Sequence, residues 1–388
     1  MTDEPTKVKP LRVGVNLLWL APGDVGGSEE YVCRLLDGLG EVDRHDLELT
    51  LFANKRFWGA HPTIANAHRL EVAAISGRSR ATRIAAEVSW LATRARGLGL
   101  DVMHHPGGTV PPRTAGPVVL SLHDLQYLEY PEFFSPLKRA YLRGAVPRST
   151  RQAAIVTAPS EFARGTVIHL LGIAADRVLV VPHSIPAGEP GWGTPPDVVR
   201  AHYDIPGPFL LYPAVTWAHK NHVAVVRALS ALLAKHPDLT LVLTGAPGPA
   251  EGALTAEIDR LGLADSVRRT GRVPAVDVNG LYDEAVATVV PSRYEGFGIP
   301  ALEAMRRGCP VVAANATALP EVVGDAGVLV HPDDIDGWVA AIDSIMGDPE
   351  RRSALVDAGL SRAASFSGAR AAAALLSAYR RAAEVQNS

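Results

Sequence analysis

Val290-Pro291-Ser292-Arg293-Tyr294-Glu295-Gly296-Phe297-Gly298-Ile299-Pro300-Ala301-Leu302-Glu303-Ala304-Met305 is the stretch on which the fold turns. The run that leads into it, Ala287-Thr288-Val289-Val290, is short, apolar and β-branched, which predicts the end of a buried strand. Gly296 and Gly298 free the backbone for a tight turn and let a ligand come close. Pro300 suits a first helical turn, where no N–H is missed, and residues 301–307 are helix formers. The stretch is therefore strand, glycine turn, helix. A helix start of this kind offers unpaired N–H groups and a positive dipole end to an anion. Two acids, Glu295 and Glu303, flank a site built for anions, which calls for a further role such as binding hydroxyls. As surface acids at a helix end they would need no ligand.

The spacing of the two acids around Gly-Phe-Gly, inside Pro-Ser-x-x-Glu-Gly-Phe-Gly-x-Pro-x-Leu-Glu-Ala-Met, resembles the signature of retaining GT-B glycosyltransferases of the GT4 family. The resemblance implies an α/β fold of two Rossmann-like domains with parallel sheets facing a central cleft. It implies that Glu295 contacts donor-sugar hydroxyls and that Glu303 holds the nucleotide ribose. The Gly296, Phe297, Gly298 and Ile299 main chain would meet the donor diphosphate.

Outward from this stretch the second half alternates apolar runs with helical patterns, the mark of a parallel sheet flanked by helices, with strands expected at 209–213, 239–244, 267–269, 287–290, 311–314 and 328–330 and an alanine-rich helix at 350–381. Tyr212 to His222 leaves the first strand of this half. A lysine at a loop–helix junction is a mobile point cation suited to a diphosphate. The resemblance gives Lys220 the role of neutralising the leaving group. The family often has an arginine five or six residues earlier, where this chain has Ala214 and Val215. His219 and Arg293 are the candidates for the missing second donor. Gly245 ends another strand and fits close approach to the nucleotide. Arg272 and Val273, after the next strand, are candidates for contact with the base or for an ordinary β–α turn.

The first half has the same rhythm, with strands expected at 12–20, 47–53, 70–75, 101–105, 118–122, 154–158 and 178–181. Helices are expected at 28–42, capped by Ser28, and at 82–96, 136–152 and 160–171. The loop Pro22-Gly23-Asp24-Val25-Gly26-Gly27 departs from a Gly-x-Gly-x-x-Gly dinucleotide fingerprint and weighs against a dehydrogenase. It resembles the family's glycine loop, which makes Gly26 and Gly27 donor-binding candidates. His123, at a strand end, sits where ligands of parallel sheets bind. The resemblance gives it contact with the donor sugar. His104 and His105 line a cleft or are structural; with no carboxylate or cysteine cluster beside them they point only weakly to a metal.

Composition agrees. The chain has 388 residues, suited to two domains, with 38 basic and 41 acidic residues. A net charge of −3 weighs against bulk nucleic-acid binding. Two cysteines give no disulfide framework. The N-terminus is polar and no apolar run is long enough to span a bilayer, so a soluble cytoplasmic protein is expected. The arginine-rich stretches 78–96 and 138–151 read either as solvated helix faces or as peripheral contacts with an anionic membrane. Glycine and proline crowd 188–196, the best linker. The expected domains are 1–190 for the acceptor and 191–364 for the donor, with 365–388 packing back on the first.

The expected reaction is glycosyl transfer from a nucleotide diphosphate sugar, GDP-mannose first, to a glycan, lipid-linked or small-molecule acceptor. No cofactor or metal is expected, for want of an Asp-x-Asp motif at a strand end. The competing readings are a catalytically silent nucleotide-sugar-binding protein and another GT-B chemistry such as an epimerase or phosphorylase.

Overall fold

The computed structural model describes residues 9–23, 27–40, 46–77, 79–185 and 192–385. The chain divides into two compact units, Met1–Pro186 with Gly368–Ser388, and Ala187–Ser367.

The first unit holds seven strands: β1 (Leu11–Leu17), β2 (Leu47–Asn54), β3 (Arg69–Ala73), β4 (Val102–His105), β5 (Val118–Ser121), β6 (Ile155–Ala158) and β7 (Val178–Val180). They pair in parallel in the order β3-β2-β1-β4-β5-β6-β7. Strand β1 shows why this is a central position. Val13, Val15 and Leu17 are fully buried, as a strand covered on both faces requires. The expected extension of β1 to residue 20 does not occur. Asn16 Oδ1 accepts the Leu18 N–H and Leu17 O accepts that of Leu20, so the apolar run stays buried but leaves the sheet.

The helix Gly27–Gly40 packs Tyr31, Leu35, Leu36 and Leu39 inward. Ser28, expected as its cap, lies inside the first turn instead. The final helix, Gly368–Glu384, packs on it in the same unit and buries Leu375 and Tyr379 completely. They meet glycine on glycine: a Cβ on Gly38 would sit 2.9 Å from Gly368 O. The helix expected over 82–96 is interrupted by a π turn at Glu87–Leu91.

The second unit holds β8 (Phe209–Pro213), β9 (Thr240–Thr244), β10 (Val267–Gly271), β11 (Ala287–Val290), β12 (Val311–Ala314) and β13 (Val328–Val330), all parallel, in the order β10-β9-β8-β11-β12-β13. The order reverses between β8 and β11, where Leu210 pairs with Ala287 and Leu211 with Thr288. Loops leaving the carboxyl ends of two such strands diverge and leave a crevice. The helix expected to run from 350 to 381 is two helices, Pro349–Ala364 and Gly368–Glu384. They are parted at Phe366, whose ring turns inward against Phe297.

Candidate functional site

The two loops that leave the switch point of the second sheet carry the two strongest candidates, and they meet. After β8 the chain makes a single turn of 3₁₀ helix, Ala218–Lys220. It then passes through Asn221 in a left-handed conformation (φ 55°) into the helix His222–Leu232. Asn221 tolerates that backbone better than most residues, and its side chain donates to Pro332 O at 2.8 Å. Tyr212, fully buried on β8, donates to Lys220 O at 2.8 Å and lies 3.0 Å from Ser292 Oγ in the other loop. The Arg293 N–H donates to His219 O at 2.8 Å. Main chain thus fastens one loop to the other.

Across that seam Lys220 Nζ donates to Glu295 Oε1 at 2.6 Å. The two side chains keep only 18% and 11% of their exposure. Two partly desolvated charges attract strongly, and either would be costly to leave alone. Glu295 is oriented by its own N–H, which donates to Thr317 Oγ1 at 3.0 Å. Thr317 itself has φ 55°, a strained backbone of the kind that gathers at working sites.

Gly298 then turns the chain at φ 107° and opens the helix Ile299–Arg306, with Pro300 in its first turn. A Cβ at Gly298 would also fall 2.7 Å from Leu319 Cδ2. The Phe297 ring is buried edge-on against Phe366, so its main chain is what it can offer a ligand. Glu303 is half-buried, with an oxygen 3.3 Å from the Tyr282 hydroxyl.

The remaining candidates of this unit are arranged less simply. Gly245 has φ 131°, and a Cβ there would meet Ala214 O at 2.6 Å, so this strand end admits only glycine. Arg272 is exposed and Val273 half-buried beyond β10. The Arg293 guanidinium pairs with Asp333. It lines a cavity of about 350 Å³ that also includes Thr216, His222 and Arg227. His219 is buried and its pKa is lowered to about 4, first by desolvation and then by the Lys220 charge. At neutral pH it is an uncharged hydrogen-bonding ring and adds no cation to that of Lys220.

In the first unit Gly26 lies outside the described residues; Gly27 begins its helix with open space around it. His123 leaves β5 half-buried, with Nε2 donating to Pro106 O at 3.1 Å. Desolvation lowers its pKa, so the ring is neutral with its proton on Nε2. It borders a cavity of about 380 Å³ lined by Trp19, Asp124, Gln126, Tyr127 and Lys138. The Tyr127 hydroxyl and Gln126 Nε2 are buried without a protein partner. Two residues that sequence reasoning passed over complete this corner. The Tyr31 ring stands 4.6 Å from that of His123 and 4.4 Å from that of His183. His183 stands past the end of β7, and the strand-end rule that selected His123 would have selected it too.

His104 and His105 are structural partners within the sheet end. His104 bonds Ser121 and Tyr379, and His105 bonds Asn16. Cys33 and Cys309 are free thiols. Burial is the main reason their pKa values rise, to about 12 and about 11. Among the described residues no group of three or more His, Cys, Asp and Glu is placed to hold a metal ion. No helix among them is long and apolar enough to cross a membrane. The two arginine-rich stretches touch, with Arg80 4.3 Å over the Tyr141 ring, and Leu137 beside them is 81% exposed.

The buried histidines predict acid lability. Desolvation lowers His104 and His105 to about 3 and His219 and His222 to about 4. In the unfolded chain each returns to about 6.5. Between these values the unfolded chain binds more protons, so stability is full above about pH 6.5 and is lost as pH falls towards about 4. Calorimetry should show Tm dropping steadily across that window; a flat Tm down to pH 4 would refute the assignment of these rings as neutral.

Comparison with known proteins shows the family. A family profile described as glycosyl transferases group 1 matches residues 204–362, and one described as glycosyltransferase family 4 matches 25–188. The chain is 30% identical over 285 residues to O-antigen chain mannosyltransferase B of Escherichia coli, covering 72% of this chain and 74% of that one. It is 39% identical over 150 residues to MMP alpha-(1->4)-mannosyltransferase of Mycolicibacterium hassiacum, covering 37% of this chain and 36% of that one. The fold matches HepE of Anabaena, solved in complex with UDP and glucose, with TM-score 0.71 and 21% identity over 94% of this chain and 98% of that one. The chain belongs to the group 1, family 4 glycosyltransferases and has their GT-B fold.

Proposed function

We propose that this enzyme transfers a hexose, mannose first, from a nucleotide diphosphate sugar to an acceptor hydroxyl with retention at the anomeric carbon. The observation that carries the reading is the Lys220–Glu295 pair at the switch point, beside the glycine turn that opens the helix Ile299–Arg306. As the bond from the anomeric carbon to the diphosphate breaks, its electron pair stays on the diphosphate oxygen, adding one negative charge to the two already there. Lys220 and the N–H groups from Gly296 to Ile299 are preorganised to receive that charge, which is electrostatic stabilisation of the kind that dominates such reactions. Glu295 then exchanges Lys220 for hydroxyls of the donor sugar, and Glu303 takes the ribose. Gly245, Arg272 and Val273 serve the nucleotide by close main-chain approach and base contact. The first unit supplies His123 and the cavity beside it for the acceptor.

Mannose is favoured by the names of the two mannosyltransferases that the chain resembles. GDP-mannose is accordingly the first donor to try. The test is a thermal-shift panel of GDP, UDP, dTDP and their sugars, followed by transfer assays with and without chelator. Binding only the folded state raises the midpoint by mass action; at a hundredfold excess over Kd the gain is about 2.7 kcal/mol. GDP-mannose should give the largest shift, and the product should keep the donor's α configuration in the presence of EDTA. No shift with any nucleotide, or an inverted product, would overturn the reading.

A further inference from the structure

We propose that Tyr31 is the positioning residue that holds the His123 ring in its working orientation. This rests on the role proposed above for His123.

Tyr31 packs in the same core as Tyr379, which begins a buried hydrogen-bond chain. The Tyr379 hydroxyl lies 2.8 Å from His104 Nδ1, and His104 Nε2 lies 2.8 Å from Ser121 Oγ. Ser121 Oγ lies 2.8 Å from Thr157 Oγ1; burial raises the pKa of Tyr31 to about 12, and the Ser121 side chain acts to lower it. Tyr31, His104, Ser121, Thr157 and Tyr379 are all at least 95% buried. A buried phenol must place its proton on an acceptor. Tyr379 therefore donates to His104 Nδ1, which puts the imidazole proton on Nε2, and that proton goes to Ser121. Ser121, accepting from His104, passes its own proton to Thr157 Oγ1. With these directions the Tyr379 phenol, the His104 ring and the Ser121 hydroxyl each place a proton on an acceptor.

The ring of Tyr31 is what reaches His123. It meets His123 edge to face, at an interplanar angle of 82°, and tilts against His183 at 41°. His123 is thus held at two points, by Pro106 O at Nε2 and by the Tyr31 ring. The ring cannot flip without losing one of them. Nδ1 is left as a hydrogen-bond acceptor for a substrate hydroxyl. Holding a reacting group to within a few tenths of an ångström is what such supporting contacts contribute.

Three substitutions test this: Tyr31→Leu, Tyr31→Phe and Tyr379→Phe. In Tyr31→Leu, kcat should fall about tenfold or more with the donor KM unchanged. ¹⁵N spectra of labelled histidine should show His123 losing its single Nε2–H tautomer. Tyr31→Phe keeps the ring edge and should recover most of kcat and the tautomer. Tyr379→Phe, which removes the first donor, should mix the His104 tautomers and lower kcat less than Tyr31→Leu does. A folded Tyr31→Leu protein with wild-type kcat and an unchanged His123 tautomer would overturn the proposal, as would a loss confined to KM or an absent Tyr31→Phe rescue. Unaltered transfer in His123→Ala would instead sink the role of His123. The tautomer readout does not depend on activity, so the two failures are told apart.

Discussion

Lys220→Ala is expected to lower kcat about a hundred- to a thousandfold, the usual cost of removing one preorganised partner of a developing charge. The argument rests on where the lysine stands. Its side chain is 18% exposed and its ammonium is already paired with Glu295 at 2.6 Å, so the cation is held at the crevice before any donor arrives. His219 beside it is neutral, and the Arg293 guanidinium is engaged by Asp333. Positions 214 and 215 are alanine and valine, so no second cation comes from there. In the proposed reaction the leaving-group charge therefore falls chiefly to Lys220 and the glycine-turn amides. Lys220→Arg should restore little, because a planar fork does not replace a compact ammonium at a half-buried point. Lys220→Ala also strands Glu295, which should cost stability of about 1–3 kcal/mol. Adding Glu295→Gln should recover part of that stability but none of the rate. Steady-state kinetics and calorimetry on the three proteins check this; a Lys220→Ala enzyme within a few-fold of wild type would remove the leaving-group role.

Which parts of this site could be read from the sequence follows from how far apart their partners are. Lys220 and Glu295 each sit in a local pattern, a loop entering a helix and a glycine turn after an apolar run, so each was visible alone. The strands were visible for a similar reason. A parallel strand buried on both faces is a short β-branched run, and 209–213, 287–290, 311–314 and 328–330 were located to the residue. What was hidden depends on tertiary partners. Tyr31 lies on the inward face of an amphipathic helix, where it reads as ordinary core. Only the rings of His123 and His183, some 90 and 150 residues away, give it another meaning. His104 looked structural and is so, but its partner Tyr379 is 275 residues distant. The break at Phe366 was missed because alanine-rich sequence on both sides favours one continuous helix. The contact that rewards the break is with Phe297, across the unit.

Gly298→Ala should damage stability and nucleotide affinity together. Two costs add at this position. The backbone at φ 107° is one that L residues rarely adopt, worth about 1–3 kcal/mol. The new methyl would also stand 2.7 Å from Leu319 Cδ2, which is fully buried and cannot swing into solvent. Overpacking of that kind costs about 1–3 kcal/mol more. The two are separable: Leu319→Ala in the same protein removes the clash and leaves the backbone strain. Gly298→Ala should therefore lower Tm sharply, and the double variant should stand above the sum of the single changes. Nucleotide binding should behave differently. The strained turn aims the amides of the helix start, and relieving the clash does not restore its φ. The double variant should regain stability while its Kd for nucleoside diphosphate stays raised. If affinity returned together with stability, the amides around Gly298 would not be the diphosphate site, and the charge on the leaving group would have to be met elsewhere.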